Sequence, residues 1–244
     1  MTYSPVADLE QLCYLPPETI LWRYIDLAKF IDLVARGTLY FPQLAELQSD
    51  DPHEGKLSTT SARRIATERA GKHPGKIFLP GKIAETYNDA ADNLYINCWH
   101  ATRESVAMWR LYAREGVAIK SSVTKIRAAL EDVPFDVVGG KVSYSTRLPH
   151  LRRTEFRTAF RKRTAYRYES EARLAIFDES GGEPFRRVIV DPLRFVSQII
   201  ISPFAAPYVA SSIEEVRRQW APKIPIRSST LLAPLMYSSR PISG

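Results

Sequence analysis

The sequence predicts an α+β fold: a single domain on a mixed, mostly antiparallel sheet, with peripheral helices. Three observations predict it. Short runs rich in β-branched and aromatic residues alternate irregularly with segments of helical spacing, not in a regular strand–helix cycle. No fixed-period repeat is visible. No clean linker divides the 244 residues, so 1–244 reads as one domain carrying a helical and loop insertion at about 55–92.

Residues 20–25 read as a strand because β-branched and aromatic side chains suit a pleated surface. Asp26 then looks like an N-cap. Leu27, Phe30, Ile31, Val34 and Ala35 recur at helical spacing, and Gly37 ends the helix. A second strand spans 38–41 and stops at Pro42. The polar stretch 48–55 is turn-like, with Asp50, Asp51 and Pro52 at its centre. Residues 58–71 suit a surface helix, and the glycines and prolines of 71–81 a loop. Further on, 94–99 reads as a strand, 104–113 as a helix, 116–120 as a strand, and 122–131 as a helix. Residues 137–144 suggest a turn or bulge at Gly139-Gly140 followed by a strand. A basic helix is expected over 154–165. Strands are expected at 188–190 and 198–202, a helix at 207–220, and a frayed end at 237–244.

Hydrophobic content of 45% and charged content of 25% are ordinary for a globular chain. No apolar run reaches the roughly 18 residues of a membrane span. The N-terminal stretch carries Asp8 and Glu10 and no basic residue, unlike a secretory signal. Cys13 and Cys98 form no metal-ligand pattern, and the reading is a cytoplasmic protein with reduced thiols. His53, His73, His100 and His150 lack HExxH spacing, so no metal site is predicted. Neither a GxGxxG, a Walker loop nor a GxSxG elbow occurs.

The net charge is +7. Nine basic residues against three acids between Arg147 and Arg173 supply +6 of it. Arginine dominates there, favouring bidentate contacts to phosphate or carboxylate. On the expected helix, Arg153, Arg157 and Arg161 form one stripe at i, i+4, i+8, with Phe156 and Phe160 anchoring it. Such a stripe suits a nucleic-acid backbone or a nucleotide; a solvated helix face with local acid partners is the other reading.

The segment 168–176 carries the densest chemistry. As a strand it places Glu169, Glu171 and Arg173 on one face, with Ala172, Leu174 and Ile176 mostly on the other. The triplet is either a structural ion-pair cluster or the acidic heart of a site. The Asp50–Gly55 stretch, with Asp51, His53 and Glu54, could bind a cation, act in acid–base chemistry, or simply turn the chain. Trp99, Trp109 and Tyr112 are either core residues or a stacking surface.

These landmarks together resemble a bacterial family, the domain of unknown function 2971. The resemblance runs from about residue 20 to 232. It rests on Leu21-Trp22-Arg23-Tyr24, on the 37–42 and 51–55 stretches, on Cys98-Trp99-His100 and 105–112, and on 116–119, 140–144, 169–173 and Ile201-Ser202-Pro203, in that order. A second similarity is to ADP-ribosyltransferases of the Arg-Ser-Glu type. It implies NAD as cofactor, with Arg23, and Tyr24 beside it, holding the phosphates and Ser121 and Ser122 shaping the nicotinamide pocket. Glu171 would contact the ribose and stabilise the oxocarbenium-like charge, while Glu169 orients or activates the acceptor. The implied role is that of a toxin or phage-defence effector. The alternative is a non-catalytic nucleic-acid-binding protein using the basic helix.

Overall fold

A computed structural model of the chain describes residues 14–145, 147–148, 154–180 and 183–233. Its central sheet joins seven strands: β1 (Ile20–Asp26), β3 (Leu94–His100), β4 (Gly116–Ser122), β5 (Val137–Lys141), β8 (Glu171–Phe177), β10 (Gln198–Ile201) and β11 (Ile226–Ser228). Beside it lie two strand pairs, β2 (Thr38–Pro42) with β9 (Phe185–Ile189), and β6 (Ser143–Tyr144) with β7 (Arg161–Lys162). The order across the central sheet is β11-β10-β4-β1-β3-β8-β5. Every neighbouring pair in it is antiparallel except β10 with β11. With helices on its flanks, this is the α+β single domain that the irregular alternation predicts.

Local chemistry explains the first elements. Asp26 caps α1 (Leu27–Arg36) by accepting from the Lys29 N–H at 2.8 Å, and Gly37 ends it in the left-handed region at φ 63°. Phe30, Leu33 and Val34 turn one face of the helix onto the sheet. Ser122 caps α5 (Val123–Ala129), accepting from the Lys125 N–H at 3.3 Å. α7 (Pro207–Trp220) starts with a proline, whose missing N–H costs nothing there.

The two faces of the sheet differ. On one, Ala172, Leu174 and Ile176 of β8 join Leu21, Ile25, Val117, Ile119, Ile199 and the helices α1, α5 and α7 in the main core. On the other, Ile96 and Ala175 pack with Leu44, Phe156, Ala159 and Phe160. Trp22, Tyr24, Ala118 and Ile200 meet Met108 and Trp109 of α4 (Val106–Tyr112) on that second face. Between β2 and β3 the chain makes two helices, α2 (Thr59–Lys72) and α3 (Pro80–Ala91), sharing a small cluster of Leu57, Ala62, Ile65, Ile83 and Tyr87. The sequence pattern misses α3, and also the short α6 (Pro192–Phe195) and β11.

Two further expectations are corrected. β5 runs straight through Gly139 and Gly140, which pair with Leu174 and Arg173, so there is no turn at that point. The basic segment is not a helix. It consists of a 3-10 turn (Thr154–Phe156), the strand β7 and a second 3-10 turn (Thr164–Glu169). Phe156, Thr158, Ala159, Phe160 and Arg161 are all buried, more than one helical stripe can turn inwards. The arginine stripe therefore does not form. Arg161 is buried and donates to the Lys56 carbonyl at 2.5 Å, Arg157 reaches the Tyr87 hydroxyl at 3.5 Å, and Arg153 lies outside the described residues.

Candidate active site

The second face of the sheet carries a cleft of about 130 Å³ beside the end of β8. Register brings its first components together: Trp22 of β1 lies opposite His100 of β3, and His100 opposite Glu171 of β8. Strand alternation sends Glu171 and Arg173 to this face. Glu169 belongs to the preceding 3-10 turn, not to the strand. Between them Ser170 sits at φ 42°, the one positive-φ residue other than glycine among the described residues. That left-handed step costs roughly 1–2 kcal/mol, and it lets both carboxylates face one cation.

The cation is Lys162. Its ammonium lies 2.5 Å from Glu169 Oε2, 3.4 Å from Glu171 Oε2 and 3.8 Å from Glu54 Oε2. Arg173 grips Glu171 with two parallel bonds, Nε to Oε1 at 2.8 Å and Nη2 to Oε2 at 3.0 Å. Its Nη1 donates to Glu54 Oε1 at 2.9 Å and to the Ala159 carbonyl at 2.6 Å. Tyr112 donates to Glu169 Oε1 at 3.0 Å, and the Tyr144 hydroxyl accepts from the Glu171 N–H at 2.7 Å. Three carboxylates thus share two cations, leaving one formal negative charge in a buried place.

Glu54 reaches the site because its turn is tight. Gly55 takes φ 70°, and a Cβ there would come within 2.9 Å of Leu44 Cδ2. Asp51, in the same turn, is buried against Arg163 at 2.6 Å and accepts from the His53 N–H at 3.1 Å. His53 itself is exposed.

Aromatic groups form the walls: Trp22, Tyr24, Trp99, His100, Tyr112 and Tyr166. Tyr24 stands edge-on to Trp109 at 4.9 Å and to His100 at 5.8 Å. His100 is buried, with Nδ1 against the Glu169 carbonyl and Nε2 2.6 Å from the Thr102 hydroxyl. A carbonyl oxygen can only accept, so Nδ1 carries a proton. Lys162 lies 4.8 Å from the centre of the Tyr166 ring.

The electrostatics keep Glu171 ionised. Burial alone would raise its pKa, but Arg173 and then Lys162 outweigh it and bring the value down to about 2. Lys162 moves the other way: burial pushes it down, and Glu171 and Glu169 more than reverse that, so it ends above its ordinary value. Burial, reinforced by Glu171, drives the Cys98 thiol up, leaving it protonated and unreactive as a nucleophile. Burial and then Glu169 also raise Tyr112, so that the phenol donates and stays neutral.

Of the residues singled out in the sequence, Glu169, Glu171 and Tyr24 line this cleft, and Glu54 and Asp51 join them from the 51–55 turn. The others do not. Alternation along β1 turns Trp22 and Tyr24 into the cleft and Arg23 to the opposite side, where it donates to the Cys98 carbonyl at 3.0 Å and the Tyr40 carbonyl at 3.4 Å. Ser121 is buried and donates to the Phe195 carbonyl at 2.6 Å, while Ser122 is the α5 cap. Lys162 and His100 are the members that sequence reasoning passed over. Lys162 is one basic residue among many around it, and nothing in its neighbours marks it as buried. Among the described residues no His, Cys, Asp and Glu group could hold a metal ion, and no helix is long and apolar enough to cross a membrane.

No family model matches the chain, and no curated protein matches it. Among solved structures, the chain is similar to Thermus sp. 2.9 DarT in complex with ADP-ribosylated ssDNA, at TM-score 0.41 and 13% identity, over 88% of this chain and 95% of that chain. It is similar also to Thermus sp. 2.9 DarT in complex with carba-NAD+, at TM-score 0.40 and 13% identity, over 88% of this chain and 96% of that chain.

Proposed function

We propose that the cleft binds NAD and that the protein transfers ADP-ribose to an acceptor. One observation carries this reading: Glu171, a carboxylate held ionised by Arg173 and Lys162, stands on the wall of an aromatic-lined cleft. A nicotinamide ring is flat and cationic, which suits aromatic faces and nearby carboxylates. When the bond between the ribose C1′ and the nicotinamide nitrogen breaks, its electron pair leaves with the neutral nicotinamide. The positive charge then spreads over C1′ and the ring oxygen. A preorganised carboxylate opposes that charge without reorganising. The acceptor's nucleophile bonds to C1′, and its proton passes to a base, a role open to Glu169. Tyr112 and Lys162 orient Glu169 for it. In this reading Arg23, Ser121 and Ser122 support the sheet behind the cleft instead of touching NAD.

Calorimetric titration with NAD, paired with an assay of nicotinamide release, tests the proposal. Glu171→Gln is expected to bind NAD and to lose turnover by about a hundredfold or more, with an unchanged near-ultraviolet circular dichroism spectrum. Wild-type protein that neither binds millimolar NAD nor releases nicotinamide from it would refute the reading.

A further inference from the structure

On the opposite side of β1 lies a second cleft, of about 340 Å³, between β1, α1 and β2. Its charged lining is Arg23, Lys29, Asp32 and Arg187, three cations against one carboxylate. The carboxylate is already engaged: Asp32 accepts from the Thr38 hydroxyl at 2.6 Å and pairs with Arg36 at 3.3 Å. Lys29 pairs with Asp26 at 3.1 Å. Arg23 and Arg187 have no such counter-charge among the described residues. Arg23 is clamped by two backbone carbonyls, and Arg187 stacks on Phe185 with 5.2 Å to the ring centre.

A partly buried guanidinium without a carboxylate is a costly arrangement. Burial accordingly pulls the Arg23 pKa down to about 10. An anion in the cleft would relieve that cost. Two carbonyl bonds use two of the five guanidinium N–H groups, so donors remain. Aromatic surface adjoins the cations. Tyr40, which lines the cleft, lies opposite Arg187 in the β2–β9 register, and its ring is 5.1 Å from Phe185 at an interplanar angle of 31°. Fixed guanidinium groups beside half-exposed rings are the combination that takes a phosphate and the base attached to it.

We infer that this second cleft is a nucleotide site, with the phosphate at Arg23 and Arg187 and the base against Tyr40. The inference goes beyond the transferase reading and does not depend on it: the cleft lies on the other side of the sheet from Glu171, and none of its lining residues lines the acidic cleft. The phosphate can belong to a free mononucleotide or to a single strand of nucleic acid.

Fluorescence anisotropy with a labelled short single-stranded oligonucleotide, and competition by adenosine monophosphate, tests it on the full chain. Arg187 is exposed, so Arg187→Ala should fold normally. It is expected to weaken binding by roughly fivefold to tenfold and to lower the salt slope by about one. Tyr40→Leu should weaken binding without changing that slope. Glu171→Gln should bind as the wild type does. Displacement of the strand by the mononucleotide supports a free-nucleotide site; an oligonucleotide that binds without being displaced supports a strand site. Wild-type protein that binds neither probe at low salt overturns the inference. So does an Arg187→Ala variant with unchanged affinity, or binding lost in Glu171→Gln alone.

Discussion

Arg173 is 1% exposed and divides its guanidinium among Glu171, Glu54 and a backbone carbonyl. Removing one partner of a buried ion pair is worse than never having built it, because the remaining charge stays desolvated. Arg173→Met should therefore destabilise the protein by about 3–5 kcal/mol, measured by urea denaturation; a loss near zero would mean that the carboxylates protonate or find water instead. At this scale the sequence shows part of the site. A period-two reading puts Glu171 and Arg173 on one face, and they are there. The same reading puts Glu169 in the strand, yet Glu169 reaches the cleft from a 3-10 turn by way of the left-handed Ser170. A backbone twist at a serine leaves no mark in a hydrophobicity pattern.

At the level of elements, legibility follows local chemistry. The unit β1–α1–β2 is read almost to its ends because Asp26 and Gly37 cap the helix with their own side chain and backbone geometry. The 154–165 stretch is misread because its arginines suggest a solvent-facing helical stripe, whereas Arg161 turns inwards to the Lys56 carbonyl while Phe156 and Phe160 pack against β3 and β8. Close strand contact supplies a test. Gly116 lies opposite Asp26 at the end of the β1–β4 ladder, and a Cβ there would stand 2.1 Å from the Ile25 carbonyl oxygen and 2.8 Å from Asp26 Cα. Both are backbone atoms, which cannot swing aside. Gly116→Ala should cost about 1–3 kcal/mol or more, seen as a lowered thermal midpoint. An unchanged midpoint would show that the two strands can part there.

Across the whole molecule, what is hardest to read is convergence. Glu54 and Arg173 are 119 residues apart in the chain and 2.9 Å apart in space. No local pattern in either segment encodes that meeting; it arises from the sheet order and from the turn that follows β2. Linked charges of this kind make stability depend on pH. Glu171 falls from its ordinary 4.5 to about 2 in the folded protein. Its contribution, roughly 3 kcal/mol, is present above about pH 4.5 and is lost as the pH falls towards 2. Lys162, raised above its ordinary 10.5, contributes fully below that value and loses its contribution as the pH rises past its folded pKa. Urea midpoints should be flat between these limits and fall steeply on the acid side. A midpoint that declines steadily from pH 7 to 5 would contradict this assignment.

Lys162 has one more consequence. Its ammonium stands between carboxylates and against the Tyr166 ring, so the cleft already houses a guest of its own. A newcomer that is flat but neutral would leave Glu169 without a counter-charge if it evicted the lysine, while Arg173 kept Glu171 and Glu54. A newcomer bearing its own positive charge can settle beside the lysine instead and offset the one negative charge that the cluster keeps. If the cleft takes a cationic ring, as proposed, the folded chain would thus screen its visitors by charge as well as by shape, using one of its own side chains as the standard.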